Sequence, residues 1–166
     1  MHSRIFQLSA ERLPEDEWID ESNISEYDMG FNGIDYCRIS EDREDDLEWL
    51  ANVLPKEVFK VEGDRIEIIS DGSCLWEAHK AQMIDTVKNM EYTGAENPRQ
   101  NFFALGDYIL ARMAKNMLDT DFLFYIDGWN GCCSKSNDLL HYALYAMKND
   151  NSPRVLYVNG ILDYHF

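Results

Sequence analysis

The segment Asp127-Gly128-Trp129-Asn130-Gly131-Cys132-Cys133-Ser134 concentrates the residue types best suited to chemistry. It follows an apolar run at residues 122–126 and precedes a helical pattern that starts near residue 136. Open α/β sheets hold ligands beyond the ends of such strands when the strand lies parallel to its neighbour. A cysteine close to a helix N-terminus acquires a lowered pKa and becomes a nucleophile, so Cys132 or Cys133 is the candidate thiol. His141 or His79 would act as base and Asp127 would orient it. Two glycines let backbone N–H groups converge, while Trp129 and Asn130 would contact a ligand. Turn formation and packing account for the same residues without chemistry, because Asp-Gly and Asn-Gly are ordinary turn dipeptides and free cysteine packs as a small apolar residue. The segment carries neither the G-x-x-x-x-G-K nor the G-x-G-x-x-G phosphate cradle.

The remaining titratable groups have simpler readings. His79 follows Trp76 by three residues and precedes Met83 by four, which places it on the apolar side of a helix. Asp138, His141 and Tyr145 share one face of a later helix, as a hydrogen-bonded row or a solvated surface. His165 is expected opposite Arg154 across a closing hairpin, and His2 is expected to be mobile beside the terminus. Asp42, Asp45, Asp46 and Glu48 form a dense acidic face expected to point to solvent, and they are the candidate partner-binding residues. No D-x-D-x-D-G calcium loop and no C-x-x-C pair occurs, so neither metal nor cofactor is expected. Four unpaired thiols, at Cys37, Cys74, Cys132 and Cys133, suit a reducing compartment.

Charge narrows the partners. The 166 residues carry 31 acids against 15 bases, a net charge of −16. Residues 1–50 hold fifteen acids against four arginines, a net of −11. Direct nucleic-acid binding is excluded as a reading because phosphate neutralisation needs clustered Lys and Arg. A basic protein surface is the complementary partner. No apolar run approaches the ~20 residues that span a bilayer, and the start lacks the apolar stretch of a secretory signal, so the expected location is the cytoplasm.

The elements that must position these residues can be read from periodicity. Ser3–Leu8 reads as a first strand, and Pro14 opens a short helix through Trp18 and Ile19. Ser40 is the expected N-cap of a helix to Leu54, with Leu47, Leu50, Ala51 and Leu54 inward. Residues 58–69 form a hairpin with Gly63-Asp64 as a type II′ turn, setting Phe59 against Ile68, Lys60 against Glu67 and Val61 against Ile66. A long helix starts at Ser73, with Trp76, Met83, Val87 and Met90 on its apolar face. A second helix carries Phe102, Leu105, Ile109, Met113 and Met117. The last helix runs from Ser136 to Lys148 with Leu139, Leu140, Ala143, Leu144 and Met147 inward. Asn159-Gly160 reads as a type I′ turn between two final strands. The expected fold is a single α+β domain over residues 1–166. Its sheet is mixed or mostly antiparallel, includes two β-hairpins, and packs against four or five helices.

The opening Ser3-Arg4-Ile5-Phe6-Gln7-Leu8-Ser9 and the following Pro14-Glu15-Asp16-Glu17-Trp18-Ile19 resemble small acidic bacterial proteins, with an echo in residues 43–50. The resemblance implies a bacterial or mobile-element origin and brings no activity and no functional residue. Two function classes follow from the residues themselves. The first is a non-enzymatic interaction module that docks its acidic first third on a basic partner, in its sharpest form a nucleic-acid mimic. The second is an enzyme or small-ligand binder built on residues 127–134.

Overall fold

The computed structural model describes residues 2–24, 34–92, 122–126 and 134–165, of which 86–92 and 134–137 are described by backbone alone. The chain divides into two compact units, Met1–Asp71 with Thr120–Phe166, and Gly72–Asp119. The expected helix around Phe102 to Met117 lies outside the described residues.

The first unit is α+β. Its strands are β1 (His2–Ser9), β2 (Tyr36–Ile39), β3 (Phe59–Glu62), β4 (Arg65–Ile68), β5 (Leu123–Ile126), β6 (Ser134–Lys135) and β7 (Val155–His165). They form one mixed sheet in the order β3-β4-β7-β1-β5-β6, with β2 also paired to β7. β1 runs parallel to β5 and antiparallel to β7. Helices α1 (Arg43–Val53) and α3 (Ser136–Lys148) belong to this unit, with 3-10 turns at Glu15–Glu17 and Glu21–Asn23. The short helix expected after Pro14 is thus a single 3-10 turn, with Pro14 at its N-cap position.

The hairpin β3–β4 has the expected register, Phe59 opposite Ile68, Lys60 opposite Glu67 and Val61 opposite Ile66. Gly63 has φ +59°, and no other residue at this turn takes positive φ, as a type II′ turn requires. Its closest ion pairs run along the strands, Lys60 to Glu62 at 2.9 Å and Arg65 to Glu67 at 2.8 Å, with a longer one across them from Arg65 to Glu62 at 3.9 Å.

The second consecutive antiparallel pair is β5–β6, not the segment around Asn159-Gly160. That dipeptide lies inside the continuous strand β7. β7 is sandwiched between β1 on one side and β4 and β2 on the other, so a reversal there would break ladders on both flanks. Asn-Gly instead forms a bulge: Phe6 pairs with Ile161 but Leu8 with Val158, leaving Asn159 and Gly160 opposite Gln7 alone. Gln7 Oε1 accepts from Gly160 N–H at 3.1 Å and Ile19 N–H at 3.0 Å. Asn159 Oδ1 accepts from Leu13 N–H at 2.8 Å, and its Nδ2 donates to Ser9 Oγ at 2.7 Å. A Cβ on Gly160 would stand 2.9 Å from the Ile19 backbone nitrogen, so the close approach demands glycine.

One sheet face buries Ile5, Leu123, Leu162 and Tyr164 beneath Ile19, Ile24 and Ile34. The other carries an aromatic cluster in which Phe6, Phe122 and Phe124 meet one another and Trp49 of α1. Burial of such rings removes a large apolar area from water and supplies specific edge-to-face contacts. α3 buries Leu139, Tyr142, Ala143 and Ala146, with Leu140, Leu144 and Met147 half-buried.

In the second unit, α2 (Ser73–Tyr92) starts at the expected residue. Its half-buried stripe is Leu75, His79 and Met83, four residues apart, and Trp76 is exposed rather than inward. The stripe therefore runs one position from that expected for Trp76.

Candidate docking surface

α1 follows β2 directly, and its first turn holds Glu44, Asp45 and Asp46. Acids there are favoured by the positive end of the helix dipole. Ser40 does not cap this helix. Asp42 occupies the N-cap position without a side-chain cap bond, and Ser40 Oγ donates to Asp46 Oδ2.

Asp46 is buried, which corrects the expectation that all four acids of this helix face solvent. Arg4 Nε donates to Asp46 Oδ1 at 2.6 Å, and Arg4 Nη1 donates to Asp163 Oδ1 at 2.9 Å. The pattern was visible in the spacing, since Asp46, Leu50 and Leu54 recur every four residues and both leucines are fully inward. Asp42, Asp45 and Glu48 are exposed as expected.

Two cross-strand rows build the sheet beside α1. His165 lies opposite both His2 and Tyr36, giving a ladder of three rings. Tyr36 stacks on His165 with centroids 5.5 Å apart, and His2 meets His165 edge-on at 5.3 Å. The next row sets Arg4, Asp163 and Arg38 side by side. His165 therefore faces His2 and Tyr36 rather than Arg154. His2 is held in β1, with Nδ1 3.2 Å from Asp163 Oδ1.

All four arginines of residues 1–50 have partners in the molecule, with Arg4 and Arg43 half-buried and Arg12 and Arg38 exposed. Arg4 bridges Asp46 and Asp163. Arg38 lies 3.4 Å from Asp163 and 3.6 Å from Glu41. Arg12 donates to both Asp64 carboxylate oxygens, at 2.7 and 3.0 Å, and lies over the Tyr157 ring. Its guanidinium holds the Asp64 carboxyl below the usual carboxylate range. Arg43 donates to the carbonyl oxygens of Val158 and Asn159 and lies 4.5 Å over the Trp18 ring. These carbonyls lie at the bulge, where β7 passes from pairing with β4 to pairing with β2. Burial lowers the Arg43 pKa from the ordinary arginine value.

The acids are placed differently. Of the fifteen, Glu26 and Asp28 lie outside the described residues, Asp46 is buried and Asp20 is half-buried, while the other eleven are exposed. Two clefts include the N-terminal end of α1. One, of about 380 Å³, is lined by Glu15, Asp16, Trp18, Ile39 and Arg43 among others. The second, of about 400 Å³, is lined by His2, Ser3, Arg4, Asp42, Asp45, Asp46 and Trp49. Ile39 of the first and Trp49 of the second are exposed, as is Tyr36 beside His2. Sequence reasoning missed the aromatic partners of Arg12 and Arg43, because they come from elements distant along the chain.

The thiol site is divided between described and undescribed residues. Asp127, Trp129, Asn130, Cys132 and Cys133 lie outside the described residues. β5, which leads into them, does run parallel to β1. His141 and Tyr145 are exposed on α3, and His79 lies on α2 in the other unit. Cys37 is half-buried and its thiol pKa is raised, chiefly by burial, while Cys74 is exposed. Among the described residues no three His, Cys, Asp or Glu side chains are grouped to hold a metal ion. No helix among them is long and apolar enough to cross a membrane. Comparison with family models, curated proteins and solved structures returned no match.

Proposed function

We propose that this chain is a non-enzymatic interaction module that docks on a basic protein through the surface around the N-terminal end of α1. The observation that carries the reading is the unequal fate of the charges. Each of the four arginines of residues 1–50 is paired with acids or backbone oxygens of the molecule itself, Arg12 and Arg38 on its surface, whereas eleven of the acids are exposed. Such a surface attracts clustered cations and repels nucleic acid, and it accelerates encounter most at low salt. The reading places the protein in the cytoplasm, without direct contact to membrane or nucleic acid. Its sharpest form is a nucleic-acid mimic, whose carboxylates occupy a groove built for phosphates.

Binding of a labelled oligolysine and of a DNA duplex, measured by anisotropy across a salt series, tests the proposal. Oligolysine should bind with strong salt dependence and DNA should not. Neutralising Glu15, Asp16 and Glu48 to Gln, Asn and Gln should weaken oligolysine binding about tenfold at low salt. Neutralising Glu57, Glu77 and Asp150 in the same way should change it less than about twofold. Equal effects of the two triple variants would reduce the acidity to general solubility and sink the proposal.

A further inference from the structure

Two of the molecule's own arginines stack on a ring while their edges meet acceptor oxygens. Arg12 lies 4.4 Å over the Tyr157 ring and donates to Asp64. Arg43 lies 4.5 Å over the Trp18 ring, and its edge donates to the carbonyl oxygens of Val158 and Asn159. A planar guanidinium suits both halves of such a site, because it stacks on a ring face while its edge meets a carboxylate.

Trp49 presents outward the elements of the Arg12 site, a ring beside carboxylates. Asp45 precedes it by four residues on α1, so the two share one helix face, and Asp42 lines the same cleft. Trp49 is 40% exposed, yet its ring is held in place: Phe6 stacks on it with rings inclined by 16°, and Phe122 meets it edge-on at 5.2 Å. A fixed, partly exposed tryptophan loses little freedom on contact with a partner, which is a property of interface anchors. Arg4 also lines the cleft, but its charge is matched by Asp46 and Asp163. Asp42 and Asp45 leave the lining anionic.

We infer that the cleft between Trp49 and His2 receives arginine side chains of a basic protein segment, each guanidinium lying against the Trp49 indole and hydrogen-bonding Asp42 or Asp45. The inference rests on the docking function proposed above and assigns its point of contact. Charge complementarity selects a cation, and the indole beside carboxylates selects guanidinium over ammonium. A segment rather than a single small molecule fits the surroundings. The neighbouring cleft shares the same end of α1, and Tyr36, edge-on to His2 at 6.2 Å, adds exposed aromatic contact beyond the slot.

The test uses a fluorescein-labelled peptide of four arginines alternating with glycine, with lysine and citrulline counterparts, titrated with the full chain at 20 and 200 mM salt. The arginine peptide should bind most tightly, the lysine peptide less so, and the neutral citrulline peptide not measurably. Trp49→Leu should weaken the arginine peptide about fivefold and remove the preference over lysine. Asp45→Asn, on an exposed position that leaves the aromatic cluster intact, should weaken it about twofold to threefold. The Trp49 indole N–H resonance of the unaltered protein should shift on addition of the arginine peptide. Undiminished arginine binding in Trp49→Leu and Asp45→Asn, with that resonance unmoved, overturns the slot and leaves the docking function standing. Failure of the unaltered protein to bind any basic peptide overturns both.

Discussion

Asp46 and Asp45 are neighbours of the same type, and the fold gives them opposite roles. Asp46 turns inward to Arg4 and Ser40, while Asp45 lies in water at the rim of the Trp49 cleft. Replacing Asp46 by Ala leaves Arg4 to Asp163 alone and takes the acceptor from the Ser40 hydroxyl, and should lower stability by about 1–3 kcal/mol. Asp45→Ala should stay within about 0.5 kcal/mol of the unaltered protein. Urea denaturation of the two variants distinguishes them, and equal losses would show that Arg4 does not depend on Asp46. The helical spacing from Asp46 to Leu50 made the inward direction readable. The identity of the partner was not, because Arg4 lies 42 residues earlier on another strand.

At the scale of elements, the bulge in β7 joins the sheet to the chain that follows β1. Gly160 lies against Ile19 with no room for a methyl group, so Gly160→Ala should cost about 1–3 kcal/mol in thermal or urea unfolding. A loss below about 0.5 kcal/mol would mean that the Ile19 segment yields easily. The same stretch of chain is tied to the β3–β4 turn by Arg12 and Asp64. Asp64 has a folded-state pKa below its unfolded value, so this contribution is complete above the unfolded carboxylate range. It disappears as pH falls through the lower folded value. Asp64→Asn should therefore show a shallower loss of stability with acid than the unaltered protein, compared by unfolding midpoints between pH 5 and pH 2.5. Parallel acid profiles would assign the sensitivity to other carboxylates. The register of the β3–β4 hairpin was legible, because it follows from ten consecutive residues that include a two-residue turn. Asn159-Gly160 misled because the dipeptide favours both a turn and a bulge, and only strands on both flanks of β7 decide between them.

For the whole molecule, a charge of −16 works against compactness, since exposed acids repel one another across the surface. Raising sodium chloride from 10 to 300 mM should raise Tm by several degrees through screening, as read by circular dichroism. A falling Tm would show that the internal arginine pairs outweigh that repulsion. The same screening should weaken oligolysine binding, so stability and docking should respond to salt in opposite directions. The amino-acid sequence by itself determined the α+β class, the β3–β4 hairpin, the start of α2, the limits of α3 and the concentration of acids in residues 1–50. These depend on periodicity, turn chemistry and composition, which act over a few residues or over none in particular. Only the tertiary structure decided that Asp46 pairs with Arg4, that β7 is continuous, that His165 faces His2 and Tyr36, and that each of the four arginines is paired within the molecule while Asp42, Asp45 and Trp49 remain exposed together. Each of those outcomes depends on partners 40 to 160 residues away, brought together by sheet order and the bulge opposite Gln7, for which local sequence carries no signal.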